Sequence, residues 1–259
     1  MAGDTVIPVV MRIKSLGRPV QRALCVAGLT CAVAASAVPA TIVVFGDSTT
    51  AERPPLSVYG QLLEKELPVR LHRPVRVINA GVRGNTTAMA AARFPLEVLA
   101  VHPDLVVIQF GINDATIDVW KKPPATEPRV ALADYRANLR HFVTAARAQG
   151  AQVVLMTPNP LAWTVQLKEM YGRPPYDAQD PDSLNFNLTK YAAAMRTLAG
   201  EMDVPLVDVR RAHETWPGGA GEPLLEDGMH PNQRGHALVA RLLAYEIIAR
   251  RLLPPAARR

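Results

Sequence analysis

The segment that most restricts the fold is Leu105–Phe110, an almost unbroken apolar run of Leu-Val-Val-Ile-Gln-Phe. A strand with one face in solvent alternates apolar and polar residues, whereas an unbroken run is typical of a central parallel strand covered on both faces. Shorter apolar and β-branched runs predict four more strands, at residues 41–46, 74–79, 153–156 and 204–209. The sequence therefore predicts a five-stranded parallel sheet.

Segments with apolar residues at helical spacing alternate with these runs. They predict helices at residues 58–67, 88–99, 131–149 and 233–252. Because parallel strands are joined by right-handed crossovers that are usually helical, this alternation predicts an α/β fold, a three-layer α/β/α sandwich in one domain spanning residues 41–253. Two irregular regions, Ala115–Pro128 and Pro158–Leu184, interrupt the alternation, and long irregular segments are often functional.

The distribution of charge and cysteine excludes several classes of function. Of the formal net charge of +6, most comes from the first 40 residues and from Arg258 and Arg259. The remainder is close to neutral and has no basic stripe with interleaved aromatic residues, so we expect no nucleic-acid partner. Cys25 and Cys31 both lie near the N-terminus. The rest of the chain therefore has no disulfide, thiolate metal site or cysteine nucleophile.

Residues 1–40 have the composition of a secretory signal peptide. A basic stretch precedes the uncharged run Ala23–Ala37, which ends in the small residues Ala35-Ser36-Ala37. Cleavage is expected near Ala37 or Ala40, giving a secreted or periplasmic domain without stable membrane insertion, because the apolar run is too short for a span. An uncleaved N-terminal anchor and the first helix of a cytoplasmic protein remain alternatives. Residues 254–259 form a basic tail.

Three candidate site residues follow predicted strands. Ser48 comes after the first strand, Gly84 lies in the loop after the second, and Asn113 comes after the third. Because the carboxyl ends of parallel strands share one edge of the sheet, we expect these residues to converge. An ester hydrolase needs such a set: a nucleophilic hydroxyl, backbone N–H groups and a side-chain amide that stabilises an oxyanion. Ser48 alone also fits ordinary helix-capping composition, so the interpretation depends on a base.

Asp227 and His230 supply the missing base in the segment Asp227–Asn232, just before the last predicted helix. On a turn, an acid three residues ahead of a histidine can accept from one ring nitrogen while the other faces the serine. Alone, the pair also fits a surface histidine beside a turn aspartate. Together with the three preceding loops, it favours an active site.

These residues resemble the SGNH (GDSL-type) hydrolases, whose signature serine, glycine, asparagine and histidine come from separate motif blocks in this order. The corresponding blocks are Gly46-Asp47-Ser48, Asn79–Gly84, Gly111–Asp114 and Asp227–Asn232. The resemblance spans residues 41–250 and implies a flavodoxin-like sheet of strand order 2-1-3-4-5.

The resemblance also implies the role of each site residue. Ser48 would be the nucleophile, His230 the base and acid, and Asp227 the group that orients His230. The backbone N–H groups of Ser48 and Gly84, with the Asn113 amide, would form the oxyanion hole. Thr49 stands where the family often has leucine, and Gly-Asp-Ser-Thr is more similar to the carbohydrate acetylesterase branch than to the lipase branch.

Candidate substrate contacts lie beside these motifs. Trp120, Trp163 and Tyr171 belong to the two irregular regions, and aromatic faces suit a sugar ring or an acyl chain, although they also suit packing of the insertion. Asn159 follows the fourth strand, and Asp47 adjoins Ser48. The expected substrate is a small-molecule or carbohydrate ester.

No cofactor and no metal is expected for this chemistry. Lipolytic esterase, thioesterase and lysophospholipase activities on the same fold remain alternatives. A different class is also open, because the hydroxyl-rich turn at Ser48 could hold the phosphate of flavin mononucleotide in a non-catalytic flavodoxin-like binding protein.

Overall fold

A computed structural model of the protein describes residues 38–255. Its sheet has five parallel strands in the order β2-β1-β3-β4-β5, which confirms the predicted α/β sandwich and strand order. The strands are β1 (Ala40–Gly46), β2 (Val75–Gly81), β3 (Leu105–Gln109), β4 (Gln152–Met156) and β5 (Leu206–Val207).

Eight α-helices accompany the sheet in the described part of the chain. They are α1 (Tyr59–Leu71), α2 (Thr87–Glu97), α3 (Ile112–Ala115), α4 (Leu132–Ala148), α5 (Val165–Tyr171), α6 (Leu188–Glu201), α7 (Val209–Glu214) and α8 (Gln233–Ala249). The sequence predicted α1, α2, α4 and α8 within a few residues at each end. It did not predict α3, α5, α6 or α7, and α5 lies inside the region predicted to be irregular.

The predicted fifth strand, residues 204–209, is the least accurate of the strand assignments. Only Leu206–Val207 pair with β4, and the chain enters α7 at Val209. The Asp208 side chain accepts the backbone N–H of Arg211 at 3.2 Å and caps this helix. A side-chain cap satisfies a backbone donor that the helix start leaves unpaired, so it ends the strand early.

Both faces of the sheet are buried. Alternate residues of β1 point to opposite sides, with Val43 and Phe45 in one apolar cluster and Ile42 and Val44 in the other, all at 0% exposure. The unbroken apolar pattern of β3 has the same cause, because each face of that strand contacts a helical layer.

The two irregular regions pack against each other in a third, smaller apolar cluster. It contains Ile117 and Val119 from the first region with Leu167, Tyr171 and Tyr176 from the second. The backbone N–H of Ile117 donates to the Tyr176 hydroxyl at 2.9 Å. Tyr171 of this cluster also lines a cavity together with residues that follow β1, β2 and β3.

The predicted signal peptide lies almost wholly outside the described residues, as does most of the basic tail, and both stay predictions. Within residues 38–255, none of the helices combines the length and the apolar character needed to cross a membrane.

Candidate active site

The turn after β1 places the Ser48 hydroxyl at the edge of the sheet. The Asp47 carboxylate accepts the Thr49 backbone N–H and hydroxyl, both at 2.8 Å, and the Asp47 carbonyl accepts the Ala51 backbone N–H at 3.0 Å. The Thr49 hydroxyl also contacts the Gln109 side-chain oxygen at 2.8 Å, at the end of β3. These bonds fix the turn and leave Ser48 half-buried, with its side chain facing a cavity.

The segment around His230 is held against the loop that follows β4. Asp227 accepts the backbone N–H groups of Met229 and His230 at 2.9 Å each, which closes a tight turn. Gly228 has φ of +68°, and a Cβ there would lie 2.1 Å from the Ala162 carbonyl oxygen, so only glycine fits. The turn thus carries His230 across the ends of the strands.

Ser48, His230 and Asp227 form a continuous hydrogen-bonded series. The Ser48 Oγ lies 2.9 Å from His230 Nε2, and His230 Nδ1 lies 2.8 Å from Asp227 Oδ2. With its proton on Nδ1, the imidazole donates to Asp227 and accepts from the Ser48 hydroxyl at Nε2. This geometry allows proton transfer from serine to histidine.

The protonation state of His230 suits that transfer. Burial lowers its pKa from the ordinary value, and the charges of Arg53 and Arg83 lower it further, while the bond to Asp227 opposes the shift. The pKa of Asp227 is also lowered despite partial burial, because it accepts bonds from the backbone of His230 and Met229 and from the His230 ring. Near neutral pH the pair is therefore a neutral imidazole beside a carboxylate.

Gly84 lies in the loop after β2, with φ of +74°, a conformation that glycine adopts most easily. The loop is pinned to β1 by the Val82 N–H, which donates to the Gly46 carbonyl at 3.1 Å, and it turns through an Asn85 N–H bond to the Val82 carbonyl at 3.2 Å. Gly84 lines the same cavity as Ser48.

Asn113 lies in the first turn of α3 and is 9% exposed. Its Nδ2 donates one hydrogen to the Asn85 carbonyl at 3.0 Å, and its Oδ1 accepts from Arg129 Nη1 at 3.1 Å. Arg129 is itself fixed by Asp118, with bonds of 2.7 Å and 3.1 Å to the two carboxylate oxygens. The amide is thereby oriented, and its second Nδ2 hydrogen is available to the cavity.

Arg93 of α2 forms hydrogen bonds to the ends of both β1 and β2. Its place in a helix gave no indication of this role in the sequence. Its guanidinium donates to the Gly46 carbonyl at 2.9 Å, the Ala80 carbonyl at 2.7 Å and the Asn85 side chain at 2.8 Å. It also lies 4.5 Å from the centre of the Phe45 ring. Arg93 therefore stabilises the loops that carry Ser48 and Gly84.

The cavity at Ser48 has a volume of about 390 Å³. It is lined by Ser48, Arg53, Arg83, Gly84, Ile112, Asn113, Thr116, Arg129, Tyr171, Met229 and His230. A smaller apolar pocket of about 20 Å³ shares Ile112, Thr116, Tyr171 and Met229 with it. All the residues predicted for the triad and the oxyanion donors therefore lie together, except that Asp227 stands behind His230.

Among the predicted substrate contacts, only Tyr171 lines the cavity. Asp47 is 1% exposed and its carboxylate bonds within the turn, which corrects its prediction as a substrate contact. Asn159 is fully buried, and its amide donates to the Met229 carbonyl at 2.9 Å, so it supports the His230 segment instead. Trp120 and Trp163 lie outside the cavity walls, and Trp163 donates to the Asp180 carbonyl at 2.9 Å.

The sequence reasoning missed Arg53, Arg83 and Arg129 in the cavity wall. Arg53 and Arg83 lie within five residues of Ser48 and Gly84, a proximity that could have indicated them. Arg129 follows a long irregular region and gave no comparable signal.

The chain is similar in sequence and fold to known ester hydrolases. A model of the GDSL-like lipase/acylhydrolase family matches residues 44–238. An acetylxylan esterase of Geobacillus stearothermophilus is 29% identical over 177 residues, covering 67% of this chain and 72% of that protein. A rhamnogalacturonan acetylesterase of Bacillus subtilis is 26% identical over 241 residues, covering 80% of this chain and 88% of that protein.

A solved structure, the lipase/acylhydrolase from Enterococcus faecalis, superposes with a TM-score of 0.65 at 29% identity, covering 84% of this chain and 99% of that one. The family match confirms the SGNH resemblance. It supports an enzyme rather than the non-catalytic flavodoxin-like binding protein. The chain therefore belongs to the GDSL-like lipase/acylhydrolase family and is an ester hydrolase with a resemblance to the carbohydrate acetylesterases.

Proposed function

We propose that the protein is a serine esterase that removes short acyl groups, acetyl above all, from carbohydrate or small-molecule alcohols through an acyl-enzyme. The observation that carries this proposal is the spacing of three side chains: Ser48 Oγ to His230 Nε2 at 2.9 Å and His230 Nδ1 to Asp227 Oδ2 at 2.8 Å. A serine gains nucleophilicity when a neutral, oriented imidazole can take its proton.

In the first half of the reaction, Ser48 Oγ attacks the ester carbonyl carbon while its proton passes to His230 Nε2. The carbonyl oxygen becomes an oxyanion, for which the Ser48 and Gly84 N–H groups and the second Nδ2 hydrogen of Asn113 are donors. Within the described residues, neither of these two backbone N–H groups donates to a protein acceptor. They are therefore free to stabilise charge that develops in the transition state.

Acylation is complete when the imidazolium of His230 protonates the leaving alcohol and the tetrahedral intermediate collapses to an acyl-Ser48. Asp227 stabilises the imidazolium at that stage. In the second half, a water molecule transfers a proton to His230 Nε2 and attacks the acyl carbon. His230 then returns this proton to Ser48 Oγ, and the carboxylic acid leaves.

The small apolar pocket supports a short acyl group. Its interior space is small, about 20 Å³, and its lining is mainly leucine, isoleucine, methionine and tyrosine side chains, which favours a compact acyl group over a long chain. The pocket borders the main cavity at Ile112, Tyr171 and Met229, beside the proposed oxyanion site. The acetylesterase names of the relatives agree with this choice.

Ser48→Ala tests the nucleophile. We expect kcat for para-nitrophenyl acetate to fall about 10⁴-fold or more, because removal of one triad member disables the unit. Ser57→Ala is the matched control, since Ser57 is a nearby serine outside the cavity wall. Retention of full activity by Ser48→Ala, with a folded circular-dichroism spectrum, is the result that refutes the mechanism.

The acyl preference is tested with para-nitrophenyl esters of increasing chain length. We expect acetate to give a higher kcat/KM than butyrate or octanoate. Leu184→Ala removes a buried wall of the small pocket and is expected to raise the butyrate-to-acetate ratio of kcat/KM. A wild-type preference for octanoate contradicts the acetyl assignment and favours the lipolytic alternative.

Export remains part of the proposal, supported by the composition of residues 1–40. Mass determination of the mature protein from culture medium or periplasm tests it, with removal of the first 37 or 40 residues as the expected result.

A further inference from the structure

The cavity at Ser48 contains positive charge that ester hydrolysis itself does not require. Three arginines line it: Arg53, Arg83 and Arg129. Arg129 is ion-paired with Asp118 at 2.7 Å, and Asp118 also pairs with Lys121 at 2.8 Å. Arg53 and Arg83 form no ion pair with any carboxylate in the described part of the chain, so their charge is available to a ligand.

Arg53 and Arg83 come from different loops but line the same cavity. Burial lowers the pKa of Arg53, and the like charge of Arg83 lowers it further. Arg83 is exposed and is positioned by a bond from Nη2 to the Glu52 carbonyl at 3.1 Å. Two neighbouring cations at a partly enclosed site are unfavourable alone and attract an anion.

Asp227 is the carboxylate that acts electrostatically on Arg53, but it does not neutralise it by direct contact. Its oxygens accept from His230 Nδ1 and from the backbone N–H groups of Met229 and His230. Asp227 is therefore engaged with the imidazole, and the two arginines keep free donors.

The position of this charge relates it to one part of the ester. Arg53 and Arg83 line the main cavity together with His230, which delivers a proton to the leaving alcohol in the proposed mechanism, and neither arginine lines the small pocket. The acyl group, in contrast, is assigned to the apolar pocket at Ile112, Tyr171 and Met229. The alcohol is thus the part of the substrate that meets the arginines.

We propose that the preferred substrate is an acetyl ester whose alcohol part carries an anionic group, held in the cavity by Arg53 and Arg83. The planar guanidinium pairs well with a carboxylate, as in a uronic acid, or with a phosphate, as in a polyol phosphate. This inference rests on the proposed function and names the substrate class of the same site. The cavity volume of about 390 Å³ suits a sugar-sized alcohol.

The test compares matched substrates at about pH 8, where an ordinary histidine is neutral. One pair is the methyl glycosides of glucuronic acid and of glucose, acetylated at the same ring hydroxyl, which differ only at C6, a carboxylate in one and a hydroxymethyl group in the other. The other pair is acetylglycerol phosphate and acetylglycerol. We expect the wild type to hydrolyse at least one anionic member with a kcat/KM about tenfold above its neutral partner, and this preference to shrink as salt is added.

The variants Arg53→Gln and Arg83→Gln assign the effect to the two side chains. The ratio of anionic to neutral kcat/KM is expected to fall about threefold in each single variant and about tenfold in the double variant. An effect of a variant on His230 or on folding changes kcat/KM for both substrates by the same factor, so it cancels in the ratio. Arg241→Gln, an exposed arginine of α8 outside the cavity wall, is the control and is expected to keep the wild-type ratio.

The outcomes separate the two proposals. If neutral acetyl esters are hydrolysed through Ser48 and the anionic esters are no better, or if the double variant keeps the wild-type ratio, the anion site is refuted and the esterase stands. If Ser48→Ala hydrolyses the neutral esters at the wild-type rate, the proposed function fails first. The pair with the larger preference identifies the anion as a carboxylate or a phosphate.

Discussion

Replacement of Asn113 by alanine tests the oxyanion site most directly. The second Nδ2 hydrogen of Asn113 is available to the cavity, and the amide is fixed by Asn85 and Arg129 at 3.0 Å and 3.1 Å. Loss of one preorganised donor costs about 2.7–4 kcal/mol of transition-state stabilisation, so kcat should fall about 10²–10³-fold. The change in KM should be small, because the donor acts mainly on the transition state.

Asn113→Ala also removes two hydrogen bonds, so its effect on folding needs a matched control. Asn187 is another buried asparagine, 7% exposed, whose Nδ2 donates to the Ala115 carbonyl at 2.7 Å and which lies outside the cavity wall. Each variant should lose about 1–3 kcal/mol of unfolding free energy in urea, because a buried carbonyl loses its partner. Only Asn113→Ala should lose turnover of para-nitrophenyl acetate. A kcat for Asn113→Ala within a few-fold of the Asn187→Ala value would falsify the assignment.

The remaining predictions concern pH and the core. Because the pKa of His230 is lowered and the base must be neutral, kcat/KM should rise with pH through a midpoint below about 6.5. Arg53→Gln removes a cation that repels the imidazolium, so it should move that midpoint to higher pH. An unchanged or lower midpoint in a pH–rate profile contradicts the electrostatic argument. Phe142, at 0% exposure and 4.7 Å from the Phe94 ring centre, should lose about 3–5 kcal/mol of unfolding free energy on change to alanine, measured in urea. Leu96→Ala, at a site 77% exposed, is the control and should change it by less than about 0.5 kcal/mol.

The sheet and the helices α1, α2, α4 and α8 could be predicted from the sequence because burial repeats with the period of each element. The unbroken run at Leu105–Phe110 and the helical spacing of α4 both report which faces contact the core. The 14-residue helix α6 escaped prediction although its buried residues recur at helical spacing. The short helices α3, α5 and α7 escaped it because they have too few turns for a periodic pattern. Their starts depend on local bonds, such as the Asp208 cap.

The residues of the candidate site could be predicted where they follow strands, because a parallel sheet brings the ends of its strands to one edge. The substrate contacts could not. Asp47 and Asn159 are adjacent in sequence to the right loops, yet their polar atoms bond to the protein itself. Whether a side chain faces the cavity or the interior depends on the loop conformation, which composition does not encode.

The sequence by itself determined the fold class, the order of the motif blocks and the chemical character of Ser48, Asp227 and His230, because these follow from local residue types and periodicity. Only the tertiary structure decided which charges surround them. Arg53, Arg83 and Arg129 reach one cavity from three separate segments, and Asp118 forms an ion pair only with the last of these three. Charge interactions depend on distance through space rather than along the chain, so the electrostatics of the site emerge only when the chain is folded.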